Sequence, residues 1–372
     1  MSNTILVPLD GSELAEKALP FAAAIARAGH KQLLLLHAAP AYALTETPPS
    51  DDEVLVQIDA IVDRLRAQGV EVGSHVSRVY YWEEAARAIR ETARERDAEL
   101  IVMSTHGRGG MGRWLWGSIS DTVMRETQVP VLLVPAACDH EWAADRPLRI
   151  LVPLDGSPLA EQVLAPTTAV ADALGAELHL LRAVLPIEYV YAGMYGGVAP
   201  YYVYDLDAEL NDAKQYLEGI AERLRSDGRS VTVHTATGTP VQAIADVVQK
   251  LGIDMAAMAT HGRGGVARLL LGSVATGVVE RATVPLLLMR PTAAPAAKEQ
   301  PAEPGPTVQQ AEGQPPEPVA ATIALTLSPA ELTLLQRGLG ELLYMPARDP
   351  RLVEPVQALM TRLKQAQPSG NR

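Results

Sequence analysis

Ile5-Leu-Val-Pro-Leu-Asp-Gly-Ser12 recurs letter for letter as Ile150-Leu-Val-Pro-Leu-Asp-Gly-Ser157, 145 residues further on. Each copy is a short aliphatic run that stops at Asp-Gly-Ser, the composition of a buried strand followed by a turn and a helix start. In the second copy Pro158 follows the serine, which places an N-cap before a proline at the first helical position. A longer stretch is duplicated as well. Thr105-His-Gly-Arg-Gly-Gly-Met-Gly-Arg-Trp-Leu-Trp-Gly-Ser118 and Thr260-His-Gly-Arg-Gly-Gly-Val-Ala-Arg-Leu-Leu-Leu-Gly-Ser273 agree at 10 of 14 positions, 155 residues apart. Two landmarks repeated in the same order mean two copies of one domain. The second copy has gained ten residues between its landmarks, and the Tyr/Gly-rich stretch 187–204, which has no equal after His37, is the place for them.

Between the landmarks, short β-branched or aliphatic runs alternate with longer helical patterns, the mark of a parallel sheet built from βαβ units. In copy one this predicts strands near 4–8, 32–38, 70–78, 99–104 and 130–134, with helices near 12–28, 51–68, 82–96 and 118–127. Copy two follows with strands near 148–153, 177–183, 230–236, 254–259 and 285–289. The expected fold is α/β: two doubly wound five-stranded parallel-sheet domains, 1–137 and 146–291, each in the order 3-2-1-4-5. That order leaves strand five at an edge. Val131-Leu-Leu-Val134 and Leu286-Leu-Leu-Met289 are too apolar for an exposed edge, so the two fifth strands are expected to pair in cis, through a pseudo-twofold axis.

Residues 292–320 turn to Pro, Ala, Glu and Gln with hardly a large apolar side chain, and are expected to form a disordered linker. Beyond it, 321–367 reads as a small strand plus a helical hairpin. Residues 322–327 alternate, Ser328-Pro-Ala-Glu331 is a capping box, and two apolar stripes follow: Leu332, Leu335, Leu339 and Leu342, then Val353, Val356, Leu359, Met360 and Leu363. So short a unit cannot bury both stripes by itself, which predicts self-association through these helices or docking on another surface, that of the repeats or of a partner.

Composition narrows the function. The 372 residues carry 32 Lys and Arg against 44 Asp and Glu, a net charge of −12, with no basic block and only one Phe, four Trp and eleven Tyr. Nucleic acid is a poor partner for such a chain, on charge and on stacking alike. Cys138 is the one cysteine, so an intrachain disulfide or a thiolate zinc cluster is excluded. No stretch approaches 18 apolar residues and the first residues lack a basic leader, so the expectation is a cytoplasmic protein with no membrane partner.

The glycine-rich landmark ends strand four and leads into a helix, where backbone amides and the helix dipole hold anions. Gly107, Gly109 and Gly110 allow close approach of phosphate oxygens; Gly117 and Ser118 open the helix; Gly262, Gly264, Gly265, Gly272 and Ser273 repeat the spacing. In the doubly wound order strands one and four are neighbours, so Asp10 faces Gly107 across the crevice. The P-loop lysine is missing, there is no G-x-S-x-G elbow to make a hydrolase of Asp10, His106 and Ser118, and the eight histidines show no HExxH or HxH. Arg108, Arg113, Arg263 and Arg268 either neutralise phosphate or are solvated. Trp114, Trp116 and the tyrosines of 187–204 pack at an interface or cover a ligand.

These motifs resemble the universal stress protein family in a tandem form covering residues 1 to about 291. The family's first strand is similar in ending V-P-x-D-G-S, and its ATP-binding pattern G-x2-G-x9-G-[ST] is matched by Gly107-x9-Gly117-Ser118 and Gly262-x9-Gly272-Ser273, with Ser104 and Ala259 in place of the leading glycine. The resemblance implies Asp10 and Asp155 beside the ribose or adenine, Ala38 and Ala183 along the base, and the glycine loops on the phosphates. It implies an ATP-binding stress regulator. In copy one Ser120 offers a hydroxyl to the terminal phosphate or its metal, and Asp121 in that first helical turn either complements the helix dipole, the reading that weighs more, or helps hold Mg²⁺. Catalysis is expected to be absent or limited to slow ATP hydrolysis. Ser104 and Ser120 offer hydroxyls where the second copy has Ala259 and Ala275, so copy one is expected to bind at least as tightly. The alternative is a nucleotide-independent interaction module of the same fold.

Overall fold

The aliphatic runs of the first repeat form β1 (Thr4–Leu9), β2 (Gln32–His37), β3 (Val72–Val76), β4 (Ala98–Ser104) and β5 (Val131–Val134); those of the second form β6 (Arg149–Pro153), β7 (Glu177–Val184), β8 (Val231–Thr237), β9 (Met255–Ala259) and β10 (Leu286–Met289). The computed structural model describes residues 3–38, 51–79, 82–105, 118–142, 145–185, 205–260 and 272–292. All lie in one compact unit of residues 1–300. Residues 301–372 are a separate unit outside the described residues, and with them falls the expected hairpin of 321–367. The linker expected over 292–320 is outside them too, apart from Thr292.

The ten strands make a single sheet in the order β3-β2-β1-β4-β5-β10-β9-β6-β7-β8. Each half is the expected 3-2-1-4-5 parallel arrangement, and the halves meet where β5 and β10 run antiparallel, Leu133 opposite Leu286, Leu132 opposite Leu287 and Val131 opposite Leu288. The fifth strands pair in cis, as their apolar sequence requires. Leu132 and Leu287 are fully buried at this seam, and an antiparallel junction between two like domains is the one that a twofold axis generates.

Successive strand residues face opposite layers, so both faces must be covered. One layer joins Ile5, Val7, Leu33 and Leu35 to the buried faces of α2 (Leu19–Ala28) and α3 (Asp51–Ala67), and continues through Ile150, Val152 and Leu180 to α7 (Leu164–Leu174) and α8 (Leu206–Ser226). The other joins Leu6, Leu36, Ile101 and Met103 to α4 (Trp82–Glu95) and α5 (Ser118–Glu126), and Leu151, Leu181 and Met258 to α9 (Pro240–Leu251) and α10 (Ser273–Val279). The helix expected near 12–28 is two helices. Pro20 has no N–H for the Glu16 carbonyl, so α1 (Glu13–Glu16) stops and α2 restarts. The second repeat breaks at the same place, between α6 (Pro158–Glu161) and α7, with Pro166 one position later in the repeat and lacking an N–H for the Gln162 carbonyl.

The connection between the domains is tied to Asp254, just before β9. This carboxylate is 0% exposed and takes Arg146 at 2.7 and 2.8 Å, His140 Nε2 at 2.9 Å and the Arg149 amide at 2.8 Å. Trp142 donates its indole N–H to the Asp254 carbonyl and meets Phe21 edge to face, rings 5.0 Å apart. Burial pushes the Asp254 carboxyl up, but Arg146, the Arg149 amide and His140 together hold it below the ordinary carboxylate range.

Candidate functional site

Asp-Gly-Ser builds the same corner twice. Gly11 and Gly156 have φ of 76° and 85°, a region open to glycine at little cost. That turn brings Ser12 back to Asp10, whose Oδ1 accepts the Ser12 amide at 2.9 Å and its hydroxyl at 2.6 Å. The Ser12 oxygen then caps α1 by accepting from the Ala15 amide at 3.2 Å. Asp155, Ser157 and Ala160 repeat all three contacts at 2.9, 2.6 and 3.2 Å. A carboxylate held by two donors is preorganised at the carboxyl end of the first strand of each repeat.

Register then places this corner beside the strand end from which the glycine-rich segment departs. Leu6 lies opposite Ile101 and Leu151 opposite Ala256. Four residues on in each strand come Asp10 and Thr105, and Asp155 and Thr260, so both pairs reach the same end of the sheet. Ala38 joins them, its amide donating to the Leu9 carbonyl at 3.1 Å; Ala183 lies next to the end of the second strand of the other repeat, opposite Ala236. Ser104 and Ala259 close β4 and β9, both buried. On the far side of each loop Ser118 begins α5, while Gly272 caps α10 and Ser273 begins it. The Gly272 amide donates back to the Thr260 carbonyl at 2.9 Å, so the second loop leaves and returns at one point. The structure brings together Asp10, Ala38, Ser104, Ser118 and Ser120 in one repeat, and Asp155, Ala183, Ala259, Gly272 and Ser273 in the other. Gly107, Gly110, Gly117, Gly262 and Gly265 lie outside the described residues, as do His106, His261, the four loop arginines, Trp114, Trp116 and the tyrosines of 187–204.

The family model described as the universal stress protein family matches residues 1–135 and again 148–290. The chain belongs to the universal stress protein family. A universal stress protein of Mycobacterium tuberculosis is 30% identical over 195 residues, which are 52% of this chain and 62% of that protein; the chain thus spans less than two thirds of that relative's length. One from Thermus aquaticus is 33% identical over 136 residues, 36% of this chain and 99% of that protein. The crystal structure of a universal stress protein from Archaeoglobus fulgidus superposes with a TM-score of 0.57 at 22% identity, over 78% of this chain and 99% of that one. That likeness is one of fold.

The two universal stress domains differ around these strand ends. In the first, Ser120 is buried and donates its hydroxyl hydrogen to the Thr105 carbonyl at 3.1 Å, tying α5 to the end of β4, where the second has Ala275. Asp121, in the first turn of α5, accepts from Arg125 Nε at 2.9 Å. In the second domain Arg182, next to Ala183, lies 4.9 Å from the centre of the Tyr216 ring, and Tyr216 donates its hydroxyl to Glu161 at 3.0 Å. Burial and that carboxylate raise the Tyr216 phenol well above its ordinary value, so it stays a donor. The first domain has His37 in place of Arg182. Sequence reading missed this cluster, which turns on one aromatic residue in α8 meeting a strand end. Among the described residues no three His, Cys, Asp or Glu are grouped to hold a metal ion, and no helix is long and apolar enough to cross a membrane.

Proposed function

We propose that this universal stress protein is a regulatory protein with two adenine-nucleotide clefts, one per domain, and that ATP is the ligand. The observation that carries the reading is the register: in both domains an Asp fixed by its Asx turn and the strand-to-helix glycine passage end at one level of the sheet, the crevice where doubly wound folds take ligands. The donor set suits a nucleotide. Backbone amides at Ser118–Ser120 and Ser273–Ala275 open their helices at the positive end of the dipole, fit for phosphate, and carboxylates at Asp10 and Asp155 are acceptors for ribose hydroxyls. Mg²⁺ would arrive with the phosphates. Turnover is not part of the reading: without a P-loop lysine or an identified base for water, phosphate release is expected below about 1 per second. The single buried thiol suits a cytoplasmic location.

Calorimetric titration of the full chain with MgATP tests this, together with Gly117→Val, Gly272→Val and the double variant. The wild type should bind, each single variant should lose one site, and the double variant should lose both. A wild type that retains no nucleotide on purification and shows no heat at millimolar ATP would instead leave a nucleotide-independent interaction module.

A further inference from the structure

Arg290, the first residue after β10, reaches out of the second domain. Its guanidinium donates to the main-chain carbonyl of Arg125, near the C-terminus of α5 in the first domain. The final carbonyls of a helix have no partner within it, and a cation there also meets the negative end of the helix dipole. The Val123 carbonyl is already taken by the Thr127 amide at 2.9 Å; that of Arg125 is supplied from across the seam. The helix so capped is the one whose N-terminus receives the glycine loop of the first cleft. Its first turn is coupled to its last by the Asp121–Arg125 pair at 2.9 Å, and Ser120 anchors it on Thr105, the root of the same loop.

The twofold relation makes the contact informative. Counting back 155 residues from Arg290 gives Pro135, and forward 155 from Arg125 gives Glu280. Proline has no side-chain donor, so the position equivalent to Arg290 cannot cap α10. The strand register explains the reach: Leu286 lies opposite Leu133 and Leu288 opposite Val131, which carries Arg290 toward the segment joining α5 to β5. A nine-residue helix is marginal on its own, and fixing its C-terminus raises the fraction of molecules in which its first-turn amides are in place.

We propose that Arg290 is a positioning residue for the first domain's cleft: by capping α5 from the second domain it makes that cleft, and not its twin, depend on the domain junction. The affinity part rests on the function proposed above; the structural part does not. The test uses the full chain with Arg290→Gln and Arg290→Lys. Hydrogen exchange without nucleotide should show faster exchange of the amides in the last turn of α5 in the glutamine variant, with partial recovery in the lysine variant and no change in α10. MgATP titration in the Gly272→Val background, which isolates the first cleft, should show affinity weakened roughly two- to fivefold by Arg290→Gln, the range of a helix-terminal charge; in the Gly117→Val background it should not change. Unchanged protection of α5 overturns the proposal, and so does equal weakening of both clefts, which would mean that the variant only loosens β10. A wild type that binds no ATP would refute the nucleotide reading instead, and the exchange of α5 would still decide whether Arg290 positions it.

Discussion

Asp254→Ala should loosen the junction between the domains, and the size of the effect follows from what the carboxylate holds. Carboxylates only accept, and all of this one's partners donate: Arg146 twice, His140 Nε2 and the Arg149 amide, between 2.7 and 2.9 Å. Removing one member of a buried ion pair costs about 3–5 kcal/mol, because the other is left uncompensated. Here the partners are partly relieved, since the Arg146 and His140 side chains are 34% and 29% exposed and can regain water. That puts the loss at the low end, about 3 kcal/mol, or roughly 6–12 °C in Tm for a unit of this size. Asp254→Asn keeps the shape and should lose nearly as much, because its amide group sets donors against donors.

The pH dependence separates a charge effect from a packing effect. The native carboxyl is held below its ordinary value, so the native state binds fewer protons than the unfolded chain, and its contribution is complete above the unfolded pKa of about 3.9 and is lost as pH falls through the native value. In differential scanning calorimetry the gap between wild type and Asp254→Ala should therefore be constant from pH 8 to about 5 and close below about pH 4. A gap under about 2 °C at pH 7, against the 2–4 °C expected per kcal/mol, would refute the anchoring role. A gap that persists undiminished at low pH would refute its electrostatic origin.

Three other outcomes are expected. Leu132→Lys together with Leu287→Lys places two cations opposite each other in a fully buried seam, and NMR relaxation should then show the two domains tumbling apart or the chain unfolding; wild-type relaxation with unchanged Tm would show that the seam does not hold the domains. His179 and His234 meet in line, Nδ1 to Nε2 at 3.0 Å with rings within 12° of coplanar, and burial holds both below the ordinary histidine value, with His234 and Arg149 adding to the effect at His179 and Glu177 opposing it. Stability should thus be full above about pH 6.5 and fall toward pH 5, and His179→Leu with His234→Leu should flatten that fall; an unaltered slope would remove the pair as its source. Deleting 321–372 should lower the mass found by light scattering to that of a monomer, and an unchanged mass would exclude self-association through the apolar stripes.

The strands were legible because buried parallel strands read as unbroken aliphatic runs, and the meeting of Asp10 with Thr105 and of Asp155 with Thr260 at one end of the sheet because the chain prints both motifs twice, in the same order. What was not legible depends on partners distant in sequence. Asp254 opens an apolar run as though it were an ordinary strand edge, and its side-chain partners Arg146 and His140 lie 108 and 114 residues earlier, in a segment with no regular structure. Pro20 sits inside a pattern that is helical on either side, and only the missing hydrogen bond to Glu16 divides it. Nothing near Arg290 in the sequence points to Arg125; only the antiparallel seam sets it over α5.

These unread features share one property. Where the first domain has Glu99 paired with Lys31, the second has Asp254 gripping the interdomain segment; for Pro135 it has Arg290, for Leu34 it has His179, and for His37 it has Arg182. In a pair of identical chains each substitution would act at both twofold-related places at once, so a cap that tightened one cleft would tighten the other. Fusion into one chain lifts that constraint while the seam keeps the twofold geometry. A change of one residue then adjusts one cleft alone, and two sites of common origin can hold the same ligand with different affinity. If the two clefts bind nucleotide as proposed, the asymmetry of Arg290 and Pro135 across the seam is the form that such independence takes in this molecule.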